Sequence, residues 1–474
     1  MNAPATSAAR CWPPQIKFIV GNEACERFSY YGMRSILAGY ITGKVLQGGL
    51  GRDADTSTEI IHTFVFVNYF MPLFGAWLSD KIIGRYHTIL WLSLFYCAGH
   101  GVLACSGLVG DAHGRLMVLC AGLGLIAFGS GGIKPCVSAF MGDQFKPEQS
   151  HLLQKAFGAF YWSINLGSFF SFLIIPWIKD HRGYSVAFGV PGIFMAIATF
   201  VFWLGTKNYV RVPPGRETKS AGFFKVFFAA LSGRREAGKN FWDAARGRCS
   251  DPEIDAAKSV LPILFVFALI PIFFSLFDQT NSTWVLQGEK MVPATVLGLK
   301  IGAEQMQSMN PLIVMILVPL FTLGVYPRLG RFASPLKRMA CGMFLAAVSY
   351  LVVASLQKQI EAGAQLNVLW QTVPYIVLTA AEVLISTTGL EFAFREAAPE
   401  MKSIVMSFWL LTIAFGDLLV VAITKMFSSA TDHAASVSTH RFLIYAGMTF
   451  VVAILFSLVA SFYKYRDQAA ALGK

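Results

Sequence analysis

Apolar stretches of about 20 residues or more recur from near Gln15 to near Tyr463, separated mostly by short polar turns. That is the length a helix needs to cross a hydrocarbon layer ~30 Å thick, and the pattern predicts twelve crossings. They run roughly over 15–42, 58–83, 86–109, 115–142, 153–177, 183–206, 258–287, 305–327, 335–356, 367–396, 400–427 and 440–463. The short alternating segments that transmembrane β-strands leave are not seen. The opening residues, MNAPATSAAR, lack the basic start, apolar run and cleavage site of a secretory signal, so the first helix is expected to be retained.

Composition agrees with the pattern. Of 474 residues, 55% are hydrophobic and 14% charged, which excludes an ordinary soluble domain. The formal net charge of +12 would suit nucleic acid were it not concentrated in alternate loops. Lys81, Arg85, Lys146, Arg328, Arg331, Lys337, Arg338, Arg395, Lys402, Lys464 and Arg466 all fall on one side if the helices alternate. The bias of basic residues toward the cytoplasm makes that side cytoplasmic, and both termini with it. The charge therefore reports topology, and no nucleic-acid partner is expected. The eight cysteines show neither C-x-x-C nor zinc-ligand spacing and read as small packing residues.

The longest polar interruption, about 207–257, divides six helices from six and is expected to link an amino-terminal bundle (1–206) to a carboxyl-terminal one (258–474). Within it, FFKVFFAALSGRREAGKNFWDAARG mixes aromatic and basic residues as an amphipathic helix at a membrane surface would. The stretch has too little continuous apolar length for further crossings. After the second predicted span, GAWLSDKIIGR places Gly75 and Asp80 ahead of a basic turn, suiting close helix approach and a charge-tied loop. It resembles the loop signature of the major facilitator superfamily, with slightly longer spacing. That resemblance implies an all-α membrane fold of two six-helix bundles related by pseudo-twofold symmetry, with a substrate site at the midplane.

The first span holds Glu23, Glu26, Arg27, Tyr30, Tyr31 and Arg34, which at 100° per residue fall on one face of a helix. A charge at membrane depth costs at least ~2.5 kcal/mol on insertion scales, so four on one helix need partners and a water-filled lining. The run from Glu23 to Tyr31 matches the E-x-x-E-R-F-x-Y-Y signature of the proton-coupled oligopeptide transporter family. GSGGIKPCVSAFMGDQF, FYWSINLGSFFS, FDQTNSTWVLQ and EVLISTTGLEFAFREAAPEMKS resemble that family's other motifs, across nearly the whole chain.

The resemblance implies that Arg27 and Lys134, with Tyr30 and Tyr31, attract a peptide carboxylate. Two cations and two hydroxyls suit that end. For the ammonium end, Asn165, Asn310 and Glu382 match the family's acceptor positions; Glu382 stands out as a carboxylate within an apolar span, while the two asparagines read equally as interhelical hydrogen-bond groups. Trp284 and Trp409 are candidates for walls of side-chain pockets, and equally for core or interfacial packing. Proton coupling is expected from Glu23 and Glu26 beside Arg27, from Asp278, and from His62, whose ordinary pKa of ~6.5 suits a switch. A buried histidine bonded to a nearby carbonyl is the plainer reading of His62. Asp278 is also implied to pair with Arg34 as a gate between the bundles, although it is one methylene shorter than the glutamate of many bacterial members. Glu391 and Arg395, four apart, read as helix bracing.

The expectation is a proton-coupled symporter that imports di- and tripeptides across the cytoplasmic (inner) membrane by alternating access. It is expected to be monomeric, driven by the proton gradient and without a cofactor. Plant relatives of the family carry nitrate, so another small solute is the alternative; retention of Glu382, which would repel an anion, argues against it. No metalloprotease, nucleophile-elbow or Walker pattern supports a membrane enzyme or an ATP-driven pump. Charges spread over many helices suit alternating access better than a symmetric pore.

Overall fold

The computed structural model describes residues 12–215, 222–233, 240–329, 334–398, 401–428, 435–463 and 465. Arg331, Lys464, Arg466, the first ten residues and part of the predicted linker lie outside them. Twelve spans follow in chain order. The first six are α1 (Ile16–Ser35), α2 (Ala54–Leu78), α3 (Gly84–Ala104), α4 (Ala112–Gly142), α5 (Ser150–Arg182) and α6 (Tyr184–Leu204). The second six begin with α7, in segments Val260–Phe267, Pro271–Phe277 and Thr283–Gly288, followed by α8 (Met309–Pro319), α9 (Pro335–Glu361), α10 (Thr372–Glu382 and Thr388–Glu396), α11 (Lys402–Ser428) and α12 (Thr439–Phe462).

Among the described residues, nine helices are long and apolar enough to cross a membrane, or ten if a pair bent by 44° in α7 counts as one span. One of the nine, Ala54–Leu108, is 55 residues long, far more than one crossing needs. It turns at Gly84, whose φ of +79° only glycine adopts without strain, and so comprises α2 and α3. α1 is 20 residues long, but its charged stripe makes it less apolar than the others. Counting α1 and dividing the long helix gives the twelve spans that the hydropathy pattern predicts.

Close backbone contact positions α2 against α4. A Cβ on Gly75 would run into the Gly132 carbonyl, so two glycines bring these helices to backbone distance. The loop after α2 is tied as its charges suggest: Arg85 Nη1 donates to both oxygens of Asp143 at 2.8 and 2.9 Å, with Asp80 3.8 Å from the same guanidinium. Glu391 bonds Arg395 at 3.3 Å and also Arg338 at 3.1 Å, tying α10 to α9. In the region between the two sets of spans, Phe223–Ser232 is a short apolar helix whose Phe223 ring meets Phe408 of α11.

Two spans depart from regular helix. The span predicted as 258–287 is broken: Pro271 cannot continue the hydrogen-bond ladder, and Asp278–Asn281 tightens to a 3₁₀ turn before Ser282 leaves helical geometry. In α10 a π-turn, Val383–Thr387, begins immediately after Glu382. The α7 break faces the space between the bundles, as does Glu382 just ahead of the π-turn.

Candidate functional site

Polar contacts between the bundles cluster in the half of the molecule away from the termini. Arg34 Nη2 on α1 donates to Asp278 Oδ1 in the α7 break at 3.1 Å, with both side chains nearly inaccessible (3% and 6%). Lys179, at the end of α5, pairs at 2.6 Å with Glu304, just before α8. Gln307 Nε2 donates to the Ser35 carbonyl at 3.0 Å. Asp55, in the first turn of α2, accepts from the Ser436 N–H and hydroxyl at 2.6 Å each. These contacts join the two bundles on that side.

His62 of α2 is fully buried and does not bond a carbonyl. Its Nδ1 lies 2.6 Å from Asp417 Oδ1 on α11, and its Nε2 lies 2.8 Å from Ser282 Oγ on α7. One imidazole thus spans the two bundles.

Below this closure a cavity of about 160 Å³ lies between the bundles. Tyr31, Arg34, Asn165, Asp278, Asn310 and Glu382, all singled out from the sequence, contribute to its lining. Asn310 Nδ2 donates to Glu382 Oε2 at 2.6 Å and approaches Thr379 Oγ1 at 3.2 Å, fixing the carboxylate just ahead of the π-turn. Asn165 Nδ2 donates to the Tyr161 carbonyl one turn earlier in α5, and its own amide faces the cavity.

The rest of the stripe on α1 forms a buried ionic network. Arg27 Nε is 3.0 Å from Glu23 and is also paired with Glu26. Lys134 has no hydrogen-bond partner among the described residues; its ammonium sits over the rings of Tyr69 (4.0 Å) and Tyr30 (4.6 Å). Tyr30 in turn accepts from Asn68 at 2.8 Å. Tyr69 lines the cavity, so the cation stands one ring away from it. Pro135 and the close packing of Gly131 and Gly132 bring this part of α4 against α2.

The two tryptophans are not among the side chains lining this cavity. Trp284 is fully buried edge-on to Tyr375 at 4.9 Å, and Trp409 packs edge-on to Phe267 at 5.3 Å over Gly389. Residues that sequence reasoning passed over include Asp417, Ser282, Asn68, Tyr69 and the Lys179–Glu304 pair. Of these, Asp417 carried a signal: it is a carboxylate inside the apolar run TIAFGDLLVV, the criterion that singled out Glu382. Glu304 lies just outside the spans, and burial pushes its carboxyl up from 4.5 to about 7 despite the attraction of Lys179. Among the described residues no group of three or more His, Cys, Asp or Glu side chains is arranged to hold a metal ion.

Comparison with known proteins agrees on one family. The family model PTR2, described as the POT family, matches residues 86–440. "Peptide transporter family 1" of Drosophila melanogaster is 39% identical over 368 residues, covering 74% of this chain and 49% of that protein. The chain spans about half the length of the curated relatives it matches. Among solved structures, an auto-inhibited POT family peptide transporter is 40% identical with a TM-score of 0.86, and the POT family transporter PepTSo is 36% identical with a TM-score of 0.87. Each comparison covers 95% of this chain and 98% of the other.

Proposed function

The chain belongs to the POT family of membrane transporters, and from that premise we propose that it is a proton-coupled symporter importing di- and tripeptides across the cytoplasmic membrane. The observation that carries this reading is the cavity between the bundles. Glu382, held by Asn310, stands on the carboxyl-terminal side, and Tyr31 and Asn165 stand on the amino-terminal side with Lys134 one ring away. A zwitterion of two or three residues has an ammonium for the first wall and a carboxylate for the cations near the second. A fixed anion such as nitrate would meet Glu382 with repulsion and leave the ammonium site unused.

In this reading Arg27 and Lys134, with Tyr30 and Tyr31, draw in the carboxylate, and Asn165, Asn310 and Glu382 receive the ammonium. Trp284 and Trp409 bound the side-chain pockets in other states of the cycle. Glu23 and Glu26 compete with substrate for Arg27, so that their protonation frees it. Arg34–Asp278 is a gate on the side away from the termini, and His62 is a proton acceptor beside it. The closed side is extracellular and both termini are cytoplasmic, in keeping with the basic alternate loops. The unit is a monomer, divided as 1–206, linker 207–257 and 258–474, and the proton gradient supplies the energy without a resident cofactor.

The direct test is binding of dialanine, its N-acetyl form and its C-terminal amide to the purified protein. Two-ended recognition gives strong binding only to the free zwitterion. Equal binding of all three would remove the assignment of both ends.

A further inference from the structure

His62 lies eight residues into α2 and Asp417 eleven residues from the end of α11, so their contact is buried roughly 12–16 Å from the helix ends on the closed side. Neither side chain is accessible, and their 2.6 Å bond joins one bundle to the other. We propose that Asp417 is a further residue of the transport reaction: it fixes His62 across the bundle interface, and the pair holds the transported proton while the closed side stays closed. The inference rests on the proton-coupled reading above and assigns a second carboxylate, besides Asp278, to the coupling site.

Three charged side chains surround the pair. The charged groups facing it are Arg34 from α1, Lys134 from α4 and Asp278 in the α7 break. Arg34 is bonded to Asp278, and Lys134 is held over two tyrosine rings. Asp417 Oδ1 is bonded to His62, and the Asp278 carboxyl group lies within hydrogen-bonding reach of the Asp417 carboxyl group. Asp417 and Asp278 stand too close for both to carry a charge at low cost, so a proton held between Asp417 and His62 relieves their repulsion.

The hydrogen bonds accommodate both forms. With His62 neutral, Nδ1–H donates to Asp417 Oδ1 and the Ser282 hydroxyl donates to Nε2. When the bundles part, Nε2 takes a proton from hydronium, leaving water. Nε2–H then donates to Ser282 Oγ, and the hydroxyl hydrogen turns to the Gln279 carbonyl 3.5 Å away. The imidazolium–carboxylate pair is neutral overall and draws α2 onto α11 as that side closes. Loss of the same proton from Nε2 toward the terminal side restores the first form. One proton enters and one leaves. The irregular backbone at Ser282 is what presents its hydroxyl to the imidazole.

The test compares gradient-driven accumulation of labelled dialanine with peptide-for-peptide exchange, which needs no net proton movement, in proteoliposomes of wild type, Asp417→Asn and Asp417→Glu. The ratio of accumulation to exchange is expected to fall about tenfold or more in Asp417→Asn, with partial recovery and a shifted pH profile in Asp417→Glu. Because Asp417→Asn could fail to fold, ¹⁵N-histidine spectra of wild type in nanodiscs, with the His62 signal identified by its loss in His62→Gln, are expected to show the Nδ1–H tautomer at high pH. An unchanged ratio and pH profile in a folded Asp417→Asn, or the opposite His62 tautomer, overturns the proposal. If wild type exchanges dialanine but never accumulates it under a gradient, the proton-coupled reading itself fails and takes the proposal with it.

Discussion

Asp278→Asn is the sharpest perturbation of the closed side. In the structure the Arg34 guanidinium and the Asp278 carboxylate are almost fully buried and bonded at 3.1 Å. Removing one charge leaves Arg34 buried without its bonded partner, and breaking a buried pair in this way costs about 3–5 kcal/mol. Because the pair joins the two bundles, that cost falls on the closed state and not on one in which water reaches Arg34. The closed-to-open ratio is therefore expected to fall by roughly two to four orders of magnitude. Rotation of Arg34 toward Asp417 places the effect at the lower end. Leu46 and Leu297, 100% and 99% exposed on loops of opposite bundles, give label positions that disturb no packing. Distances between spin labels at Leu46→Cys and Leu297→Cys, in a background lacking the native cysteines, should form one short population in otherwise unaltered protein. A second, longer population should dominate with Asp278→Asn. An unchanged distribution would refute the reasoning that this pair holds the side closed.

Three further outcomes follow. Glu382→Gln removes a charge-assisted partner of an ammonium, worth about 1.5–3 kcal/mol, so calorimetry should find dialanine bound roughly 10- to 100-fold more weakly; N-acetyl-dialanine should bind the variant and wild type alike. Glu304 carries a carboxyl raised to about 7 in the closed state against 4.5 when exposed, so the closed state binds the proton more tightly and gains stability as pH falls from about 7 toward 4.5. The labelled pair should report more closed protein at low pH, and Glu304→Gln should flatten the response. Gly75→Leu forces a side chain into the Gly132 backbone, an overpacking cost of about 1–3 kcal/mol or more, and should lower the unfolding temperature in detergent; no shift would mean that α2 and α4 separate freely.

The features legible in the sequence were those that violate a strong rule. Four charges on the first span and Glu382 in the tenth stand out because ionised groups are costly in hydrocarbon, and the structure brings Arg34 and Glu382 to the same cavity. Asp417 breaks the same rule, but a single carboxylate in the eleventh span has no visible partner in sequence, since His62 lies 355 positions away. Ser282 and Asn68 carry no such signal, because hydroxyls and amides are common in membrane helices and only folding reveals what they bond. The break in α7 was half legible: Pro271 and the polar run DQTNS mark weak helix, while the predicted span ran through both as one apolar stretch. Trp284 illustrates the converse. Its size suggested a pocket wall, and in this conformation it packs against Tyr375, since a large aromatic serves either role equally well.

The most direct measurement is uptake by purified protein in proteoliposomes with an imposed inward proton gradient, using labelled dialanine and nitrate in parallel. The account predicts that dialanine accumulates above equilibrium, that collapsing the gradient with a protonophore abolishes the accumulation, and that nitrate does not move. Accumulation of nitrate, or no movement of dialanine under any gradient, would contradict it.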